Sequence, residues 1–175
     1  SRFLEPACGT GNFLVEILER KLLVVEKRYK KVQLEYERNA IIAVSSIYGI
    51  DILQDSLEEC RERLFNIFNQ HYERLFGLNC KEECRKSVRT ILNINIIHGN
   101  ALTLQKEDGS GPIVFAEWSP LNGKFLKRRD FTFQDLLEYQ AINELPLFSD
   151  IGEDVFIPHP IKEYPPMPIL EIRHE

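Results

Sequence analysis

The sequence predicts an α/β fold with a mostly parallel sheet flanked by helices. Short apolar runs with strand character alternate with longer stretches of helical periodicity, and such alternation calls for crossover connections between parallel strands. Two of the early runs end in an acid, at Glu5 and Asp51. The run Ile113-Val-Phe-Ala116 is apolar throughout, as suits a strand buried on both faces.

The elements follow in order. Ser1 to Leu4 reads as the end of a buried strand, followed by a turn containing Gly9 and Gly11. From Asn12 to about Arg28, Phe13, Leu14, Ile17, Leu18, Leu22 and Val25 recur at helical spacing. A second helix is expected over Val32 to Ser46, and Ile47 to Asp51 reads as a strand. An amphipathic helix over about Ser56 to Phe76 stops at Gly77, and another covers Glu82 to Leu92. Ile94 to Ile97 is expected as the third strand, ended by Gly99, and Pro112 to Trp118 as the fourth, central one. Thr132 is a candidate cap for a helix to Tyr139. Prolines are frequent from Pro146 to Pro168, which suggests an extended arm over 146–175 attached to a domain over 1–145.

Composition narrows the function classes. A chain of 175 residues can bury one core. Its 43% hydrophobic and 28% charged residues are ordinary for a soluble protein. No apolar run is long enough to cross a bilayer. The chain opens two residues before its first strand and without Met, so upstream sequence is expected. Cys8, Cys60, Cys80 and Cys84 show no disulfide spacing, which fits a reducing cytoplasm. Cys80 and Cys84 could share a helical face and a metal, but no companion ligand pair lies nearby. A net charge of −5 argues against a protein that coats nucleic acid. Lys124, Lys127, Arg128 and Arg129, beside Phe125, read either as a solvated basic loop or as a local anion-binding patch.

The chemistry concentrates at the first turn. In open α/β sheets, ligands bind at the carboxyl ends of strands. Glu5 falls there, Gly9 and Gly11 allow close approach to backbone, and the following helix offers unpaired N–H groups. The charge of Glu5 repels a phosphate and attracts an ammonium or sulfonium group. The turn also lacks the Lys-Ser/Thr ending of a phosphate cradle. Asp51, at the end of the next strand, can accept hydrogen bonds from two ribose hydroxyls or serve as a strand-end turn. A nicotinamide fingerprint is disfavoured: no third Gly is in register, and Asp51 follows Gly11 by 40 residues rather than roughly 20.

These residues resemble the cofactor motifs of N6-adenine DNA methyltransferases of restriction–modification systems. Glu5-Pro-Ala-Cys-Gly-Thr-Gly-Asn-Phe13 is similar to their first motif, Ile47-Tyr-Gly-Ile-Asp-Ile52 to their second, and Ile97-His-Gly-Asn-Ala-Leu102 to their third. The resemblance covers about residues 3 to 118. It implies a Rossmann-like methyltransferase fold, S-adenosyl-L-methionine as cofactor and DNA adenine as substrate. A separate specificity or restriction subunit is a further implied partner. Carried over by position, the cofactor residues are Glu5, Pro6, Ala7, Gly9, Gly11, Asn12, Phe13, Asp51, Ile52, Asn100 and Ala101. Asn100 stands where the family has an acid that meets the cofactor's amino group, and its amide oxygen could accept that bond.

The family's Asn/Asp-Pro-Pro-aromatic motif, which orients and stacks the flipped base, is absent. The fourth strand instead ends Phe115-Ala-Glu-Trp-Ser-Pro-Leu121. Either Glu117 accepts the target amine and Trp118 stacks on the base, or Trp118 is a core aromatic and the chain does not methylate alone. The second alternative makes it a non-catalytic subunit that binds the cofactor or a partner. His98, beside the third motif, reads as structural, since a His at a strand end is more often so.

Overall fold

The computed structural model describes residues 1–143 and 158–174. Three parallel strands form the first sheet: β1 (Phe3–Glu5), β2 (Ile47–Asp51) and β3 (Ile96–Asn100), in that spatial order. A two-residue strand, β4 (Gln105–Lys106), adds to β3 in antiparallel fashion. Register pairs Leu4 with Tyr48 and Asp51 with His98. The central strand β2 is the buried one, with Ile47 and Ile50 sealed from solvent. β1 lies at the edge and is only half-buried, which corrects the expectation of a buried first strand.

Two helices link each pair of parallel strands: α1 (Asn12–Tyr29) and α2 (Gln33–Ser45), then α3 (Gln54–Phe76) and α4 (Glu82–Asn95). Each buries a stripe spaced at three or four residues, such as Leu14, Leu18, Leu22 and Val25 of α1. Gly77 ends α3 with a φ of 52° while its N–H still bonds the Glu73 carbonyl. The carboxylate of Glu37 is fully buried, held by Tyr72 Oη, by Lys81 Nζ at 3.1 Å and by Gln33 Nε2 at 3.3 Å. A buried charge needs such partners.

The expected third strand starts two residues later, because α4 runs on through Ile94 and Asn95, and it continues through Gly99 and Asn100, which pair with β4.

The expected fourth strand is not part of the parallel sheet. β5 (Val114–Leu121) forms an antiparallel pair with β6 (Phe125–Thr132), from Val114–Thr132 to Leu121–Phe125. Asn122 and Gly123 turn the hairpin with φ of 52° and 66°, the backbone an Asn-Gly turn favours. The segment carrying Lys127, Arg128 and Arg129, expected as a loop, is therefore a strand. Its Leu126, Asp130 and Phe131 are buried. Tyr48 docks the hairpin on the first sheet: its hydroxyl donates to the Ala116 carbonyl at 2.6 Å, and its ring meets Phe115 edge-on.

α5 (Phe133–Asn143) follows, capped as expected: Thr132 Oγ1 accepts the Asp135 N–H at 3.2 Å. Residues 146–157 of the expected arm lie outside the described residues. Beyond them, β7 (Lys162–Glu163) and β8 (Met167–Pro168) both pair with β6. Ile169 and Ile172 are buried, and the Ile172 N–H bonds Ser87 Oγ of α4 at 3.0 Å. Among the described residues no helix is long and apolar enough to cross a membrane.

Candidate cofactor site

The turn between β1 and α1 is fixed by its neighbours rather than by its own side chains. Gly9 and Gly11 adopt φ of 53° and 89°, a region that glycine enters without steric cost. Gly11 directly precedes α1, whose first turn has no side-chain cap. The Gly11 N–H closes the turn on the Cys8 carbonyl at 2.9 Å. Two bonds then tie the turn to β2: Cys8 N–H to the Ile50 carbonyl and Gly9 N–H to Asp51 Oδ2, both at 2.9 Å. Asp51 Oδ1 accepts the Leu53 N–H at 2.9 Å, so one carboxylate spans the turn and the approach to α3. Glu5 Oε1 accepts the Ala7 N–H at 3.2 Å, and Pro6 and Ala7 are exposed.

The two glycines serve different ends. A Cβ on Gly9 would meet nothing within 4 Å, whereas one on Gly11 would come to 2.7 Å from Cys60 Sγ of α3. The space over Gly9 is thus open to a ligand, while Gly11 lets the turn lie against α3. Hydrogen bonding to Cys60, reinforced by burial, pushes the Cys8 thiol far up.

Arg63 of α3 reaches the same turn. Its Nη1 donates to the Thr10 carbonyl at 2.9 Å and to Asn12 Oδ1 at 2.7 Å. Phe13 is about half exposed and its ring lies 5.4 Å from that of Phe3. Ile52 is likewise exposed, and its carbonyl accepts His98 Nε2 at 2.8 Å, which gives His98 a structural bond across the strand ends. Asn100 closes β3, with Ala101 half-buried beside it. Asn100 Oδ1 accepts the N–H groups of Leu102 and Thr103 at 2.9 and 3.3 Å. The amide oxygen expected to face a ligand is therefore engaged by its own turn, and Nδ2 is the polar group left over.

The structure thus brings Glu5, the glycine turn, Asp51 and Asn100 to the carboxyl ends of three adjacent strands. It does not bring Glu117 and Trp118 there. Trp118 is buried, and its Nε1 donates to Asn95 Oδ1 at 2.9 Å. Asn95 in turn donates to the carbonyls of Ser45 and Ile47, where β2 begins. Glu117 is held by Arg129 Nε at 3.1 Å and faces Arg2, just before β1. Both residues therefore sit at the amino ends of the parallel strands. The expectation of a stacking ring at Trp118 and an amine acceptor at Glu117 gives way to a core aromatic and an ion-paired carboxylate. The basic cluster is also partly neutralised, since Arg128 pairs with Asp130 at 2.8 Å.

Sequence reasoning missed Arg63 and the role of Cys60. Cys60 was visible only as one position of an apolar helix face, and Arg63 contacts residues more than 50 positions away. Among the described residues no group of three or more His, Cys, Asp or Glu could hold a metal.

Fold and site together define an α/β protein with a glycine turn and two acids at the carboxyl ends of parallel strands. A protein-family model described as MmeI, DNA-methyltransferase domain, matches residues 1–112. The chain belongs to that family, one of DNA methyltransferases of restriction–modification type. The matched span ends before β5, so it includes the glycine turn, Asp51 and Asn100 but neither Glu117 nor Trp118. No curated protein and no solved structure matches the chain.

Proposed function

We propose that the chain binds S-adenosyl-L-methionine in a Rossmann-like methyltransferase domain that acts on adenine N6 of DNA. The observation that carries this reading is the Gly9–Asp51 bond, which joins the open glycine turn to the acid of the next strand. The residues suit the cofactor. Asp51 has spare lone pairs for ribose hydroxyls even with two backbone N–H groups bound. Glu5 provides negative charge for the ammonium and sulfonium groups of the methionine end. The open space over Gly9 leaves room for that end to approach backbone. Asn100 Nδ2 would donate to a ring nitrogen of the cofactor's adenine. When bound, the cofactor supplies an electrophilic methyl group, and the protein contributes mainly by holding it in line with the acceptor. The proposed cofactor residues are those of the turn, from Glu5 to Phe13, with Asp51, Ile52, Asn100 and Ala101. In this reading residues 1–145 are the cofactor domain and 146–175 a Pro-rich arm rather than a separate domain.

A second reading has its own support. With Trp118 buried and Glu117 ion-paired, neither of these two residues is free to receive a flipped base. The chain would then be a cofactor-binding or partner-binding subunit whose chemistry is completed by other protein. Calorimetric titration of the purified protein with S-adenosylmethionine tests the shared cofactor claim, and absence of heat at millimolar cofactor removes it. Transfer of labelled methyl groups to mixed-sequence DNA separates the two readings: incorporation into N6-methyladenine supports the first, and cofactor binding without incorporation the second.

A further inference from the structure

We propose that Arg63 is the positioning residue of the glycine turn: from α3 it holds Thr10 and Asn12 so that the turn is already shaped for S-adenosylmethionine. The inference rests on the cofactor reading above and adds a residue that none of the three motifs contains.

The turn needs an external anchor. Thr10 lies between two glycines of positive φ, and glycine leaves the backbone the widest choice of conformations. The side chains that usually cap a helix start do not do so here, since Gly11 has none and no side chain caps α1. Asn12, the first residue of α1, points its oxygen to Arg63 instead. One guanidinium nitrogen therefore takes three acceptors of the turn: Thr10 O, Thr10 Oγ1 at 3.4 Å and Asn12 Oδ1.

Arg63 differs from the helix arginines that pair with an acid; like Arg61, which donates to the Ile96 carbonyl, it binds neutral oxygens. Arg38, Arg74, Arg85 and Arg89 each pair with a glutamate. Among the described residues no carboxylate lies within 4.0 Å of Arg63, and its partners are the neutral oxygens of the turn. A charged donor on neutral backbone makes a stronger bond than a neutral one. Ordering a loop before the ligand arrives removes that entropy cost from binding.

The test uses the purified protein and three variants: Arg63→Ala, Arg63→Lys, and Arg89→Ala as a helix arginine that does not touch the turn. Affinity for S-adenosylmethionine is measured by calorimetry at a temperature where urea curves show every variant folded. Arg63→Ala is expected to raise Kd by about tenfold or more, the worth of a charged hydrogen bond. Arg63→Lys should recover part of that loss, since an ammonium can hold one acceptor of the set. A few millimolar methylguanidinium should restore affinity to Arg63→Ala and leave Arg89→Ala unchanged. Wild-type Kd in folded Arg63→Ala overturns the proposal, as does an affinity loss that merely tracks melting temperature across all three variants. If the unmodified protein binds no cofactor, the cofactor reading fails and this inference with it; if it binds and Arg63→Ala is silent, only the role of Arg63 fails.

Discussion

Gly9 and Asp51, 42 positions apart, share a 2.9 Å hydrogen bond that joins the glycine turn to the end of β2. The same carboxylate holds Leu53 N–H. Asp51→Ala leaves the part-buried Gly9 N–H without its partner, at a cost on the order of 1–3 kcal/mol, while the exposed Leu53 N–H turns to water. It also removes the acceptor proposed for the ribose. The expected outcome is a lower urea midpoint together with a loss of S-adenosylmethionine affinity beyond tenfold. Asp51→Asn can keep only one of the two backbone bonds and should fall between. Unchanged affinity in a folded Asp51→Ala protein would remove Asp51 from the site.

Gly11 and Cys60 make a second testable pair. A Cβ on Gly11 would stand 2.7 Å from Cys60 Sγ, and the φ of 89° strains any residue with a Cβ. Gly11→Ala should therefore destabilise the fold by about 1–3 kcal/mol, the usual range for overpacking and backbone strain. Cys60→Ala removes the colliding sulfur. The double variant should lose less stability than the sum of the two single variants, because the clash is shared. Strict additivity in urea denaturation would mean that the turn shifts away from α3 at no cost.

Glu26 supplies a pH dependence. Its carboxylate accepts two bonds from Arg74, at 2.7 and 3.1 Å, and lies 3.8 Å from His71 Nδ1. Hydrogen bonding to Arg74 holds its pKa below the usual 4.5, with burial opposing and the charges of Arg74 and His71 assisting. A carboxyl lowered by folding stabilises the folded state above its unfolded pKa, and this is lost as pH falls through the folded value. Glu26→Gln should thus cost less than about 1 kcal/mol at neutral pH, since Arg74 is half exposed. The difference from the unmodified protein should vanish below the lowered pKa. Urea midpoints measured across that window check it, and a penalty that persists in acid contradicts the ion-pair origin.

The parts of the fold legible in the sequence were those with a local period. α1 and α3 appear in their apolar spacing, β2 in its unbroken run to Asp51, and the α5 cap in Thr132. Glu5 and Asp51 were legible for the same reason, as each marks a change of period. The hairpin was not read, although Asn122-Gly123 signals it. Lys124, Lys127, Arg128 and Arg129 masked the alternation of β6; Arg128 is met by Asp130 of the same strand, and Arg129 by Glu117 only once β5 and β6 pair. Arg63 carried no local signal at all, because its role lies in contacts that the folded chain creates.

Trp118 and Asn95 decide how the missing catalytic motif is understood. The indole Nε1 donates to Asn95 Oδ1 at 2.9 Å, and Asn95, fully buried, bridges to the backbone at the start of β2. Trp118→Phe keeps an aromatic ring but leaves that amide oxygen without its donor. A loss of about 1–3 kcal/mol is expected, and Asn95→Ala should be coupled to it in a double-mutant cycle. Cofactor affinity should not change, because Trp118 lies at the amino ends of the strands and the glycine turn at their carboxyl ends. A stacking residue would behave in the opposite way. Phe would support most of the stacking, stability would be nearly unaffected, and Trp118→Ala would abolish methyl transfer to DNA while the protein remained folded. Measuring urea midpoint, cofactor Kd and methyl incorporation on the same three proteins therefore separates a core tryptophan from a catalytic one.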